Sequence, residues 1–234
     1  MAQLKNRSAL VVGATGLVGA ELLKLLLADP KYVNVHCIGR RAPALTHPKL
    51  KTHVMDLVTN QLGAHLASQF AALPSFDDVY CTLGTTIKVA GSPSAFKAID
   101  LDAVVAVAKA AQVNQATRLG VVSAMGADAT SGVFYNRIKG EMEAAVAKLG
   151  FSSVSIARPS MLAGDRDSLK QTARPGERIG LKLMNAVSFL IPANYKAIEA
   201  ADVAQALHRM VSEGRPGVRV ALSGELSALA GEVP

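Results

Sequence analysis

Residues 8–27 read S-A-L-V-V-G-A-T-G-L-V-G-A-E-L-L-K-L-L-L. A short apolar run ends in Gly13. Two more glycines follow at three-residue steps, Gly16 and Gly19, and an amphipathic helical pattern starts at once. A strand that turns on glycine straight into a helix is the opening unit of a dinucleotide-binding sheet. One glycine permits the tight turn, one lets the backbone approach a pyrophosphate, and one lets helix pack closely on strand. The anion then rests on unpaired N–H groups at the positive end of the helix. Gly13, Thr15, Gly16, Leu17, Val18 and Gly19 are therefore the candidate phosphate-binding residues.

The spacing is G-x-x-G-x-x-G rather than G-x-G-x-x-G, and glycines also mark ordinary turns. The flanking strand and helix favour the cofactor reading over a plain turn. A secretory leader is the rival for this stretch, since Lys5 and Arg7 precede an uncharged run from Ala9 to Ala20. Three glycines interrupt that run, and Glu21 and Lys24 continue it in helical register, so the leader reading is set aside.

Apolar, strand-like runs at 9–12, 33–38, 51–55, 78–83, 119–123, 153–157 and 218–222 alternate with helical patterns at 17–28, 64–72, 94–113, 135–149, 181–189 and 200–212. This alternation predicts an α/β fold with a doubly wound parallel sheet, right-handed crossovers and helices on both faces. Half of the residues are hydrophobic but only 4% are aromatic, a composition suited to such buried parallel strands. The 234 residues are expected to form one domain with a small carboxy-terminal substrate lobe. The charged, turn-rich stretch 164–180 reads as a surface flap and 181–189 as a helix beside it, so that 164–196 forms the substrate side. Met184, Val187, Phe189 and Leu190 read equally as a pocket wall, as core or as the face of a homodimer. Residues 223–234 are weakly patterned and are expected to fray.

No run of about 18 uncharged apolar residues is present, so a membrane span is not expected. Cys37 and Cys81 sit in separate apolar runs without metal-ligand spacing, and read as buried reduced thiols of a cytoplasmic protein. The net charge is +7, which raises nucleic-acid binding as a hypothesis. The Lys and Arg residues are spread along the chain with no run longer than two, so no nucleic-acid partner is expected.

In a doubly wound sheet, ligands bind beyond the carboxyl ends of the strands. The second strand ends in Gly39, Arg40 and Arg41. An acid there would accept from a ribose 2′-hydroxyl, whereas an arginine offers a planar donor fork to a 2′-phosphate. The pair thus favours NADP(H) over NAD(H), with an exposed basic turn as the plain alternative. Asp56 after the third strand reads either as an acceptor for the adenine amino group or as a helix cap. Leu83, Gly84 and Thr85, after the fourth strand, let the chain run close beside the cofactor, or mark a turn.

The fifth strand ends at Ser123; Tyr135 follows twelve residues later and Lys139 four after that. Positions i and i+4 share one helix face, so phenol and ammonium can meet in one site. A lysine cation beside a phenol favours the phenolate, and a strand-end serine can hydrogen-bond a substrate oxygen. Each piece alone is ordinary, but the set in this order behind a nucleotide-binding turn is specific.

The segments G-A-T-G-L-V-G, C-T-L-G-T-T, V-S-A-M-G, Y-N-R-I-K and A-R-P-S-M-L-A-G-D-R resemble the short-chain dehydrogenase/reductase superfamily, in its extended and atypical branches, over roughly residues 8–210. The last two look most like the Tat-interacting-protein-like NAD(P)-binding oxidoreductases. The resemblance implies a single NAD(P)-binding Rossmann domain over 1–234, with NADP(H) as cofactor. It also implies a catalytic Ser123–Tyr135–Lys139 set, a Lys139 that holds the nicotinamide ribose as well, and Arg158, Pro159 and Ser160 lining the nicotinamide and substrate side. One departure concerns the asparagine that many members use to extend the proton relay: here the matching position is Asp100, which cannot donate when ionised. Asp202 is expected to cap the helix that it starts.

The leading expectation is hydride transfer to or from a small-molecule carbonyl or alcohol, with Tyr135 giving or taking the proton. The alternative is an NADPH-binding sensor or protein-interaction module with little or no turnover, because fold does not fix function.

Overall fold

The computed structural model describes residues 6–58, 66, 68–70, 72–163 and 192–231. Strands β1 (Arg7–Val12), β2 (Tyr32–Gly39), β3 (Leu50–Val54), β4 (Asp78–Cys81), β5 (Arg118–Val122) and β6 (Ser153–Arg158) form the main sheet with a late strand, Gly217–Leu222. Two short strands, β7 (Leu162–Ala163) and β8 (Ile198–Glu199), pair separately, which makes the late strand β9. The seven-stranded order is β3-β2-β1-β4-β5-β6-β9, and every pairing in it is parallel. The chain reverses its direction of winding between β1 and β4, the place where doubly wound sheets open a crevice.

The strands are apolar runs because both faces of the sheet are covered. In β1, Ala9 and Val11 join the cluster formed with Leu22, Leu26, Leu207 and Met210, while Leu10 and Val12 join that of Phe76, Val107, Met142 and Val146. These side chains are essentially inaccessible to solvent, and burying one of leucine size contributes roughly 1.5–3 kcal/mol. Helix α1 spans Leu17–Ala28, as its periodicity predicts. It packs against the Ala200–Glu213 helix on one face, while the Val104–Val113 and Phe134–Ala147 helices cover the other.

Three expectations about the helices and the chain end differ from the structure. The helix predicted over 94–113 is built from Pro93–Lys97, a π-helical turn Ala98–Ala103, and Val104–Val113. A short helix, Ile87–Ala90, precedes it, and Ser92 caps the Pro93 start by accepting from the Ala95 N–H at 3.1 Å. Apolar periodicity is insensitive to the one-residue widening of a π turn. The terminal stretch is not frayed over its described part: Ser223–Gly231 is a helix with Leu226 and Leu229 buried. Only those two apolar side chains face the core, too few to produce a visible pattern. Finally, the Ala200–Glu213 helix is preceded by Glu199 as its N-cap, so Asp202 lies in the first turn, where its charge complements the helix dipole.

The predicted flap and helix at 164–180 and 181–189 lie outside the described residues, as does most of the 64–72 helix. Among the described residues no helix is long and apolar enough to cross a membrane, and no group of three His, Cys, Asp or Glu is placed to hold a metal. Cys37 and Cys81 are buried free thiols. Burial pushes them up to about 12 and about 11, respectively.

Candidate active site

A cleft of about 840 Å³ opens at the carboxyl ends of β1, β2, β4, β5 and β6. Its floor begins at the glycine turn. Gly13 has φ +92°, and a Cβ there would lie 2.8 Å from the Thr82 carbonyl carbon, so no other residue fits without displacing the end of β4. A Cβ on Gly19 would overlap the Gly13 carbonyl oxygen, which is the close helix–strand packing expected of the third glycine. Gly16 is the N-cap of α1, has no side chain to cap it, and donates its N–H to the Gly13 carbonyl at 2.9 Å. The first turn of α1 thus begins at the cleft, which Thr15, Leu17 and Val18 line.

Arg40 and Arg41 line the cleft at the end of β2, both exposed and neither ion-paired among the described residues. Leu83, Gly84 and Thr85 line the next wall. Asp56 does not line the cleft. Its exposed carboxylate accepts from the Val58 N–H at 3.0 Å, a local turn contact, and only its neighbours Leu57 and Val58 reach the wall.

Ser123 follows β5 directly, tied to β6 by its N–H to the Ala157 carbonyl at 2.8 Å. Its hydroxyl is buried and has no partner among the described residues. Tyr135 stands in the first turn of the Phe134–Ala147 helix, half-buried, with its ring 5.3 Å from that of buried Phe96. Lys139 lies one turn on, and its Nζ is 2.7 Å from Asp100 Oδ1. The other oxygen of Asp100 accepts from the Thr85 N–H at 2.9 Å. Burial alone would lower the Lys139 ammonium, but the Asp100 carboxylate and Tyr135 outweigh it and hold it above the ordinary lysine value. Ser123, Tyr135 and Lys139 all line the one cleft.

Pro159 and Ser160 line it too, but Arg158 does not. The Arg158 guanidinium grips Glu143, with Nε to Oε1 at 3.0 Å and Nη2 to Oε2 at 2.5 Å. It thereby locks the Phe134–Ala147 helix onto β6. The hydroxyl of Ser160 is committed as well, donating to the Lys196 carbonyl and sitting 3.0 Å from the Ser223 hydroxyl. Glu143 escaped the sequence reading although Tyr135, Lys139 and Glu143 share one helix face at i, i+4 and i+8. That spacing is a legible signal. Ser223, which receives the Ser160 N–H at 2.8 Å, left no signal because it is distant in sequence. A second groove of about 880 Å³, against Phe70, Val105 and Val113, contains none of the motif residues.

Comparison with known proteins agrees with this geometry. A family described as NAD(P)H-binding matches residues 13–213. The chain is 30% identical to protein HTATIP2 of Rattus norvegicus over 212 residues, covering 91% of this chain and 84% of that one. It is 31% identical to the Candida albicans protein FMP52, mitochondrial, covering 90% of each. Among solved structures, the Bordetella bronchiseptica enzyme WbmH in complex with NAD+ superposes with a TM-score of 0.68 at 17% identity, over 96% of this chain and 79% of that one. A short chain dehydrogenase family protein of Francisella tularensis gives 0.66 at 15% identity, over 95% and 99%. At such identities these two likenesses concern the fold.

The comparisons correct one expectation. Several similar relatives, FMP52 of Candida albicans among them, are named mitochondrial proteins, which overturns the cytoplasmic assignment. Buried reduced thiols do not distinguish one reducing compartment from another. The glycine cradle, the parallel sheet order and these relatives agree, and the chain, similar to HTATIP2 and FMP52, belongs to the NAD(P)H-binding family.

Proposed function

We propose that the protein is an NADP(H)-dependent oxidoreductase acting on a small-molecule carbonyl or alcohol. The observation that carries this reading is the hydroxyl of Ser123, buried and without a partner among the described residues, in one cleft with Tyr135 and Lys139. A buried polar atom without a protein partner is costly unless a ligand or water completes it.

The residues present fit a dinucleotide. Gly13 and Gly16 put no side chain at the start of α1, whose first turn, with Thr15, Leu17 and Val18, would hold the pyrophosphate. Arg40 and Arg41 would take a 2′-phosphate, Leu83 to Thr85 would flank the chain of the cofactor, and Pro159 and Ser160 would bound its nicotinamide end. When bound, the nicotinamide supplies or accepts the hydride. Ser123 orients the substrate oxygen through its hydroxyl. Tyr135 gives its phenolic proton to that oxygen in reduction, or takes one in oxidation. Lys139 stabilises the phenolate so formed and offers N–H donors to ribose hydroxyls.

Replacing Tyr135 by Phe is expected to leave the NADPH dissociation constant within about twofold and to lower carbonyl-dependent NADPH oxidation by roughly 10²–10⁴. Unchanged turnover on a proven substrate rules the assignment out. The second reading, a cofactor-binding sensor without turnover, draws on the engagement of Lys139 by Asp100. A stable NADPH complex that oxidises nothing across a broad carbonyl panel favours it.

A further inference from the structure

Just behind the wall of the cleft, the ammonium of Lys139 is paired with the buried carboxylate of Asp100. We propose that Asp100 is a positioning residue of the proton-transfer site: its carboxylate holds the Lys139 ammonium in place and screens the field that the ammonium exerts on the Tyr135 phenol. The proposal rests on the reading of Tyr135 as the proton carrier.

Three elements converge on the pair. The π-helical turn Ala98–Ala103 carries Asp100, which is fully buried. The Phe134–Ala147 helix carries Lys139, 3% exposed and 2.7 Å away. The segment after β4 closes over both: Thr85 donates its N–H to Asp100 Oδ2 at 2.9 Å, and a Cβ on Gly84 would stand 3.6 Å from Asp100 Oδ1 and 3.8 Å from Lys139 Nζ. Asp100 is thus pinned on one oxygen by the backbone and presents the other to the ammonium. A lysine side chain has four rotatable bonds and would otherwise swing within the cleft; here its charge has one address.

Among the described residues, the other titratable groups facing Lys139 are Tyr135 and Cys81. Burial pushes the Cys81 thiol up to about 11, so it is neutral through the neutral range. The neighbouring carboxylates are engaged elsewhere, Asp102 by Lys97 at 2.9 Å and Glu143 by Arg158. The net field at the phenol therefore depends on whether Asp100 carries a charge. An asparagine at this position would preserve the shape and keep one acceptor for Thr85, while replacing the charged acceptor that faces Lys139 by an NH2 group.

The test compares the wild-type chain with Asp100→Asn and with Asp102→Asn as a neighbouring control. The Cε resonance of Lys139, identified by its loss in Lys139→Gln, is followed by carbon NMR as pH rises. The Lys139 ammonium of Asp100→Asn is expected to titrate at least one pH unit below that of the wild-type chain, a tenfold change. In carbonyl-dependent NADPH oxidation, the alkaline limb of the rate profile is expected at lower pH in Asp100→Asn and unmoved in Asp102→Asn. Equal Lys139 titrations in wild type and Asp100→Asn overturn the proposal, and a shifted titration with an unmoved alkaline limb overturns its catalytic half. Should Asp100→Asn fail to fold, the melting temperatures of Lys139→Gln and Asp100→Asn/Lys139→Gln decide. With Lys139 gone, Asp100 is a buried charge without its partner, so the double variant is expected to melt above Lys139→Gln alone, and a double variant that melts no higher sinks the pairing. A wild-type chain that binds NADPH but never turns over defeats the oxidoreductase reading instead, while the Lys139 titration still judges the pair.

Discussion

Arg40 and Arg41 bring positive charge to the end of β2, where a ribose 2′-hydroxyl would call for an acid. A charge-assisted hydrogen bond to phosphate contributes about 1.5–3 kcal/mol. The double change Arg40→Ala/Arg41→Ala is therefore expected to weaken NADPH binding at least about tenfold while leaving NADH nearly unchanged, as read by titration calorimetry. Equal losses for both dinucleotides exclude the 2′-phosphate role. Single side chains also mark how far the site was legible in the chain. The meeting of Tyr135 and Lys139 was readable because i, i+4 spacing determines a shared helix face, and that of Ser123 with them because it ends a parallel strand, where such sheets open their cleft. Arg158 was not, because its direction depends on Glu143 from a helix whose docking no local pattern encodes. Asp56 is bound to its own turn for the same kind of reason, a backbone N–H two residues on that competes for its carboxylate.

The turn between β1 and α1 separates packing from binding within one element. A methyl group at Gly19 would meet the Gly13 carbonyl, which is backbone and cannot swing aside. Gly19→Ala is expected to destabilise the protein by at least ~2 kcal/mol, seen as a lower denaturant midpoint. A methyl at Gly16 would lie 3.3 Å from the same oxygen, a contact that yields by a few tenths of an ångström. Gly16→Ala is therefore expected to keep most of the stability and lose NADPH affinity. Matching stability losses for the two variants refute the division of labour. Elements of strong periodicity, α1 above all, were readable from spacing alone. The π turn was not: its extra residue is stabilised by where Asp100 ends up, against Lys139 and the Thr85 N–H, and local spacing does not carry that information.

Across the fold, buried polar groups cluster at both ends of the sheet. At the amino ends of the strands, Asp78 accepts from the Tyr32 hydroxyl at 2.6 Å and pairs with Arg118. On β2, buried His36 meets His53 at 3.0 Å and packs edge-on to Phe76. Burial, followed by the nearby His53 and Lys51, pushes the His36 imidazole down to about 4 from its ordinary 6.5. Below pH 6.5 the unfolded chain takes up a proton that the folded one refuses. Stability from this group is thus complete above pH 6.5 and lost as pH falls towards 4, by roughly 3 kcal/mol at full effect. The slope of unfolding free energy against pH in that window is expected to be shallower in His36→Leu. An unchanged slope shows that His36 does not carry the acid sensitivity.

The order of strands and helices, the glycine turn and the spacing of Tyr135 and Lys139 could be read from the chain because each rests on local geometry: a period of two or 3.6 residues, or a backbone angle open to glycine. Contacts between residues far apart in sequence required the folded arrangement. Asp100 facing Lys139, Arg158 turned onto Glu143, and Ser160 bound to Ser223 each depend on how independently formed elements dock. Docking is selected by the fit of whole apolar faces and by the need to pair every buried charge, and neither condition is written in any short stretch of residues.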